Sequence, residues 1–286
     1  PCIPGYQGLD QAVKILEDQA QKIGFPVMVK ASAGGGGRGM RLVESSDQFD
    51  DSVKLAKAEA ASSFGSSELI IEKAFVDARH IEVQIMADSH GNILHLGERD
   101  CSIQRRHQKV IEESPSPIVT QPLRDQMGKA AIKAAKAVDY EGAGTIEFLV
   151  DGDKNFFFLE MNTRIQVEHP VTEMVTGIDL IALQLLVAQG EPLPINQSEI
   201  KLDGHAIEAR LYAEDPSKNF LPGAGKIDYW SVPSIKGVRI DGGIKSGQTI
   251  STFYDPMLAK IIGYGENREV ARKNLLSALQ KTALFG

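Results

Sequence analysis

From Glu160 to Glu168 every second residue carries a polar group: Glu160, Asn162, Arg164, Gln166 and Glu168, with Met161, Thr163, Ile165 and Val167 between them. Side chains of an extended chain alternate faces, so one face would carry two acids, two amides and a cation. A solvated strand also alternates, but its polar face is ordinarily a mix of Lys, Glu and Thr. A Glu-x-Asn pair offers oxygen ligands to a hard cation such as Mg²⁺, which takes one or two carboxylates and the phosphates of a substrate. Arg164 presents a planar fork to an oxyanion. Eight steps of straight strand would span about 26 Å, too far for Glu160 and Glu168 to serve one reacting centre. The expected arrangement is a strand through about Asn162, then a curved loop laying Arg164, Gln166 and Glu168 around an anion beside the metal.

A second acid belongs to the same picture. Glu147 interrupts the apolar run Thr145–Val150, which turns through Asp151-Gly152-Asp153-Lys154-Asn155 into Phe156. Two adjacent antiparallel strands would each carry a buried carboxylate, costly unless compensated. A shared divalent ion is the economical compensation, and Glu147, Glu160 and Asn162 are its predicted ligands.

Gly34, Gly36 and Gly39 satisfy G-x-G-x-x-G, but a dinucleotide fingerprint needs a helix after the loop and an acid on the next strand. Here the loop runs from the β-rich Pro26–Ala31 into the strand-like Met40–Glu44. Gly39 is followed by Met40-Arg41, so the Walker pattern fails as well. A glycine hairpin of this kind reads as a flap that lays backbone N–H groups over phosphates. Further on, Arg105, Arg106, His107 and Lys109 place four basic-type side chains within five positions of an acidic chain. A local basic cluster of that sort fits a small polyanion. Arg210 shares a strand face with Ala206 and Glu208, and spacing alone gives it only the reading of a salt-bridged arginine.

The elements that must position these groups are legible in outline. Helices are expected over 9–23, 122–139, 180–188 and 268–283, from apolar spacing at three and four residues. Strands are expected at Glu68–Phe75 and Arg79–Asp88, the latter pairing back with Ile93–Asp100. From Gly204 the chain turns to short β segments. The expected class is α+β, with a domain over 1–203, its glycine-rich lid over about 1–75, and a smaller β-rich domain over 204–286.

The chain has 286 residues, 42% of them hydrophobic, and a net charge of −7, which suits a globular chain and argues against bulk nucleic-acid or anionic-membrane binding. No apolar run reaches the roughly 18 residues of a membrane span. Cys2 and Cys101 lack metal-type spacing and read as free thiols of a reducing compartment. The opening Pro1-Cys2-Ile3-Pro4-Gly5 has no leader character, and both ends read as cuts through a longer polypeptide.

The run Lys30–Met40, with Ser32-Ala33-Gly34-Gly35-Gly36-Gly37-Arg38-Gly39 inside it, resembles the biotin carboxylase family of ATP-grasp enzymes. So do Glu98–Lys109, Glu160–Pro170 and Tyr254–Lys260. Gly5–Gly8 and Glu208–Pro216 lean toward the biotin carboxylase part of acyl-CoA carboxylase α subunits. The resemblance implies an ATP-grasp fold with a glycine-rich lid, followed by a β-rich biotin carboxylase C-terminal domain. It implies ATP binding by Lys30, Gly36, Gly37, Glu72, Lys73, Ala74, Phe75, His80, Gln104 and His107, and Mg²⁺ or Mn²⁺ at Glu147, Glu160 and Asn162. Lys109, Arg164, Gln166 and Val167 would hold bicarbonate, Glu168 would activate it, and Arg210 would stabilise the biotin enolate. Partners implied are a biotin carboxyl carrier, a carboxyltransferase and further copies of the parent chain, in cytoplasm or mitochondrial matrix. Family members also carry an N-terminal α/β domain with another ATP-binding lysine, and residues beyond the equivalent of Gly286 that complete the nucleotide pocket. A non-catalytic nucleotide-binding module and a different ATP-grasp ligase, such as a carbamoyl-phosphate-type synthetase, are the alternatives. The first would be free to lose Lys109, Arg164 and Glu168; the second would share the metal acids without Gln104–Lys109.

Overall fold

The computed structural model describes residues 1–34 and 39–286. Gly36 and Gly37, expected to cover phosphates, therefore lie outside the described residues. The chain forms two compact units.

The first unit comprises Pro1–His80, Gln104–Gln108 and Phe148–Glu160. Helix α1 (Val13–Ile23) buries Leu16 and Ala20 and closes on Gly24, whose φ of 83° is left-handed backbone that glycine adopts without strain. The expected start at Leu9 was too early: Leu9 is fully exposed. Asp10 Oδ1 accepts from the Ala12 N–H at 3.0 Å, a local turn that competes with helix. Strands β1 (Val27–Ala31), β2 (Met40–Val43) and β3 (Leu69–Lys73) form a sheet in the order β3–β1–β2, with the short strand Gly5–Tyr6 beyond β3. Strands β1 and β2, on either side of the glycine run, pair antiparallel, Val27 opposite Val43 through Lys30 opposite Met40. Helix α2 (Phe49–Phe64) places Phe49, Val53, Ala56 and Ala60 at helical spacing against this sheet's core.

The second unit comprises Ile81–Ile103, Lys109–Glu147 and Met161–Gly286. Its strands derive from β4 (Arg79–Ala87), β5 (Ile93–Arg105), β6 (Gln108–Ser114), β7 (Gly142–Val150), β9 (His205–Tyr212), β10 (Val238–Gly242) and β11 (Met257–Gly265). Strand β8 (Phe156–Asn162) follows β7 through a turn. The sheet has eight strands in the order β10–β11–β9–β6–β5–β4–β7–β8. Helix α3 (Gln121–Lys136) buries Leu123, Met127, Ala131 and Ala135, every fourth residue. Sequence periodicity shows no helix at α4 (His169–Thr176), which carries Pro170 in its first turn, where proline is tolerated. Its Val171 and Val175 cover Ala206 and Ile262 on one face of the sheet. Helix α5 (Leu180–Ala188) is capped by Asp179, whose side chain accepts from the Ala182 N–H. Helix α6 (Arg268–Lys281) covers the opposite sheet face, where Ala271, Leu275 and Ala278 pack on Ile207, Ala209 and Ile261. Among the described residues no single helix is long and apolar enough to cross a membrane.

Strand β11 can lie this close to α6 because Gly263 faces it. A Cβ there would stand 2.5 Å from both Ala271 O and Leu275 N, backbone atoms that cannot swing aside. Gly263→Ala should therefore cost about 1–3 kcal/mol of stability, read as a lowered midpoint in denaturant unfolding.

Candidate active site

The alternation seen from Glu160 to Glu168 holds only while the backbone is extended, and β8 ends at Asn162. Beyond it the loop buries Gln166 and Glu168 and leaves Arg164 exposed, its Nη1 donating to the adjacent Ile165 carbonyl at 3.3 Å. The expected loop is present, but Arg164 does not join the buried side chains with the other two. Glu168 occupies the N-cap position of α4, where the helix dipole favours a carboxylate.

The centre of the second unit is the Lys109 ammonium. Its Nζ donates to Glu82 Oε2 at 2.5 Å, Glu168 Oε1 at 2.7 Å and Glu147 Oε1 at 2.8 Å, filling all three N–H positions. Burial works against its charge, but Glu82, Cys101, Glu168 and Glu147 outweigh it and raise the pKa above the ordinary lysine value. The basic cluster read from sequence is thus divided by the β5–β6 hairpin. Arg106 and His107 form its exposed turn with φ of 52° and 65°, while Lys109 points inward.

Two arginines extend the array. Arg99, fully buried, donates from Nε to Glu82 Oε1 at 2.6 Å and from Nη1 to Gln84 Oε1 at 2.7 Å and Thr172 Oγ1 at 3.0 Å. Its Nη2 donates to Thr145 Oγ1 at 3.2 Å and Gln166 Oε1 at 3.0 Å. Gln166 in turn donates to Glu147 Oε1 at 3.0 Å, as Asn162 does at 2.9 Å. Arg210 bridges two acids, Nε to Glu112 Oε1 at 2.6 Å and Nη2 to Glu168 Oε2 at 3.0 Å. Sequence spacing had allowed Arg210 nothing beyond a salt bridge; the fold sets that salt bridge on Glu168. The Val167 carbonyl accepts from Lys260 Nζ at 2.8 Å.

Sequence reasoning missed Glu82, Gln84, Arg99, Glu112 and Lys260. The available signal was the alternating Ile81–Ile85, whose acid and amide stand among apolar residues although the strand is buried on both faces. Its partner strand sets Arg99 directly opposite Glu82. Glu82, Cys101 and Glu168 bring metal-type atoms within 4.8 Å of one another. Lys109 already occupies both carboxylates, however, and burial followed by Glu82 pushes the Cys101 thiol well above its usual range. That trio is an ion-pair environment.

In the first unit, Lys30 pairs with Glu72 across β1 and β3. Lys73 Nζ turns to the Gly24 and Phe25 carbonyls at 2.8 and 3.0 Å. Ala74 is buried, and Phe75 stacks on Phe157 with centroids 4.8 Å apart. His80 ends this unit's longest segment, Gln104 is half-buried and His107 exposed. Glu160 is half-buried on β8, two residues before Asn162 on the same strand face.

The array requires every partner. Arg99→Met would leave Glu82, Gln84 and Gln166 acceptors buried without their donor, and should destabilise the protein by about 3–5 kcal/mol, measured by chemical denaturation.

Residues 1–196 match the family described as "Carbamoyl-phosphate synthase L chain, ATP binding domain", and residues 208–286 match "Biotin carboxylase C-terminal domain". The chain is 50% identical to the methylcrotonoyl-CoA carboxylase subunit alpha of Dictyostelium discoideum over 100% of its own length and 41% of that relative's. It superposes on a Campylobacter jejuni biotin carboxylase crystallised as a β,γ-ATP complex with TM-score 0.96 and 47% identity, covering 100% of this chain and 64% of that one. The biotin carboxylase domain of Hydrogenobacter thermophilus 2-oxoglutarate carboxylase, solved with MgADP and bicarbonate, gives TM-score 0.97 and 44% identity over 100% and 63%. The chain thus spans about two fifths of the curated relative and less than two thirds of each solved chain. With both parts matching in order, this chain belongs to the biotin carboxylase family of ATP-grasp proteins.

Proposed function

We propose that the protein carrying this chain carboxylates biotin on a carrier, using ATP and bicarbonate, as the biotin carboxylase component of an acyl-CoA carboxylase. The observation that carries the reading is Glu168, clasped at one oxygen by Lys109 and at the other by Arg210. One carboxylate is thereby held in a fixed position beside two cations, an arrangement that can orient an anionic substrate and meet its charge. The division into an ATP-grasp domain over 1–203, with its lid over about 1–75, and a C-terminal domain over 204–286 belongs to the same proposal. So does a setting in cytoplasm or mitochondrial matrix, with a biotin carboxyl carrier, a carboxyltransferase and further copies of the parent chain as partners.

The nucleotide is assigned to Lys30, Gly36, Gly37, Glu72, Lys73, Ala74, Phe75, His80, Gln104 and His107. Mg²⁺ or Mn²⁺ is assigned to Glu147, Glu160 and Asn162, whose side-chain oxygens are the hard donors such an ion takes. When bound, the ion neutralises charge on the transferred phosphoryl group. Bicarbonate is assigned to Lys109, Arg164, Gln166 and Val167, and the biotin substrate to Arg210. Glu168 takes the bicarbonate proton while a bicarbonate oxygen attacks the γ-phosphorus and ADP leaves, giving carboxyphosphate. Carboxyphosphate breaks down to CO₂ and phosphate. The phosphate takes the proton from biotin N1′, and the resulting enolate, its charge met by Arg210, attacks CO₂. Bicarbonate is a weak nucleophile, so fixed cations and a fixed base supply both the proximity and the charge stabilisation the step needs.

In the full-length protein, Glu168→Gln should retain ATP binding and lower bicarbonate-dependent ATP cleavage by about 10²–10⁴-fold. Cleavage at the wild-type rate, with the same dependence on bicarbonate, would remove Glu168 from the role of base.

A further inference from the structure

Glu112 and Glu208 stand directly opposite each other in the antiparallel pairing of β6 and β9. Their side chains therefore leave the same sheet face, with Cβ atoms about 5 Å apart. Both residues are fully buried. Arg210 binds Glu112 Oε1, while among the described residues Glu112 Oε2 and both Glu208 oxygens have no hydrogen-bond donor. Three carboxylate oxygens without donors at one dry place would be a severe penalty if both acids were ionised.

The surrounding charges relieve it only in part: Lys260 and Arg210 favour a Glu208 carboxylate, but burial and Glu112 outweigh them. Arg99, Lys109 and Arg210 already face Glu82, Glu147, Glu168 and Glu112, so the array holds more carboxylates than cations before Glu208 is added. Lys260 is committed to the Val167 carbonyl at 2.8 Å and to Asp241 at 3.8 Å.

We infer that Glu208 is a neutral carboxylic acid whose O–H donates to Glu112 Oε2, and that this bond keeps Glu112 ionised as the anchor that positions Arg210. The proton lies between two facing carboxyls, and its loss would set two buried negative charges side by side. Burial, reinforced by Glu112, raises Glu208 well above the ordinary carboxylate range. Burial also lifts Glu112, against the pull of Arg210, to about 7. Glu112 is therefore the member whose ionisation needs support at neutral pH. A donor on Oε2 stabilises its charged form and lowers the pH at which the pair accepts a second proton, on Glu112. Without the donor, Glu112 protonates at higher pH and Arg210 loses the charge that holds its Nε.

The test has two arms, both in the full-length protein. In the first, glutamate labelled with ¹³C at the side-chain carboxyl is observed by NMR at neutral pH. One resonance should carry the shift of a protonated carboxyl and be lost in Glu208→Gln, which preserves shape. Loss of an ionised resonance instead, or no protonated one in the wild type, overturns the inference. The second arm rests on the carboxylation reading and compares Glu208→Gln, whose amide still donates, with Glu208→Leu, which cannot. The leucine variant should move the acid limb of bicarbonate-dependent ATP cleavage up by about one pH unit and lower neutral-pH turnover about tenfold, with the KM for ATP unchanged. The glutamine variant should restore both. Equal behaviour of the two variants would reduce Glu208 to a packing residue. Absence of bicarbonate-dependent cleavage in the wild type would refute the carboxylation reading, and the NMR arm would still decide where the proton resides.

Discussion

An ammonium with three carboxylates at hydrogen-bond distance is the constraint around which the second unit is arranged. Lys109 meets Glu82, Glu147 and Glu168, drawn from β4, β7 and the head of α4. Each attraction is worth several kcal/mol at the effective dielectric of a partly buried site, yet each charge also had to leave water. The balance is favourable because few valences are left open: Arg99 takes the other oxygen of Glu82, and Arg210 the other oxygen of Glu168. Geometry of this sort is pre-organised, so little reorganisation is required when a charged substrate arrives.

The cost is borne by the apolar layers on either side. Helices α4 and α6 cover the two faces of β9 with valine, alanine and leucine, excluding the water that would otherwise screen the ion pairs. The same exclusion makes the excess of acid consequential. A dry array with more carboxylates than cations must either hold a proton or gain a cation. Residues of both kinds are present here: hard oxygen donors at Glu147 and Asn162, and an acid at Glu208 that has no hydrogen-bonded basic partner among the described residues.

Much of this was legible in the sequence, and the illegible part has a consistent physical cause. Strands with alternating polarity, the glycine connection between β1 and β2, and the helices with uninterrupted apolar spacing could be read from periodicity. Glu147, Asn162 and Glu168 could be read because acids and amides in apolar runs demand compensation. The loop after Asn162 could be expected, but not that Arg164 would be exposed while Gln166 and Glu168 are buried, because alternation stops meaning a common face once the backbone leaves the strand. Helix α4 was missed because its eight residues carry too few turns for a pattern. Arg99, Glu112 and Lys260 were missed for another reason: their partners lie on other strands, and register between distant strands is set by tertiary pairing. Compensation could be foreseen from sequence, but not the identity of the group supplying it.

The carbonyl of Val167 and the carboxylate of Glu168 are both gripped from the C-terminal region, by Lys260 and Arg210. The family description that ends at residue 196 therefore marks a boundary of sequence similarity, while the loop at 163–168 takes its shape from residues beyond that boundary. A chimaera joining the first part of this chain to the last part of a relative would import a foreign clamp onto a native loop. Selection would be expected to keep the two parts matched, treating strands β9 and β11 as inherited together with the loop they hold.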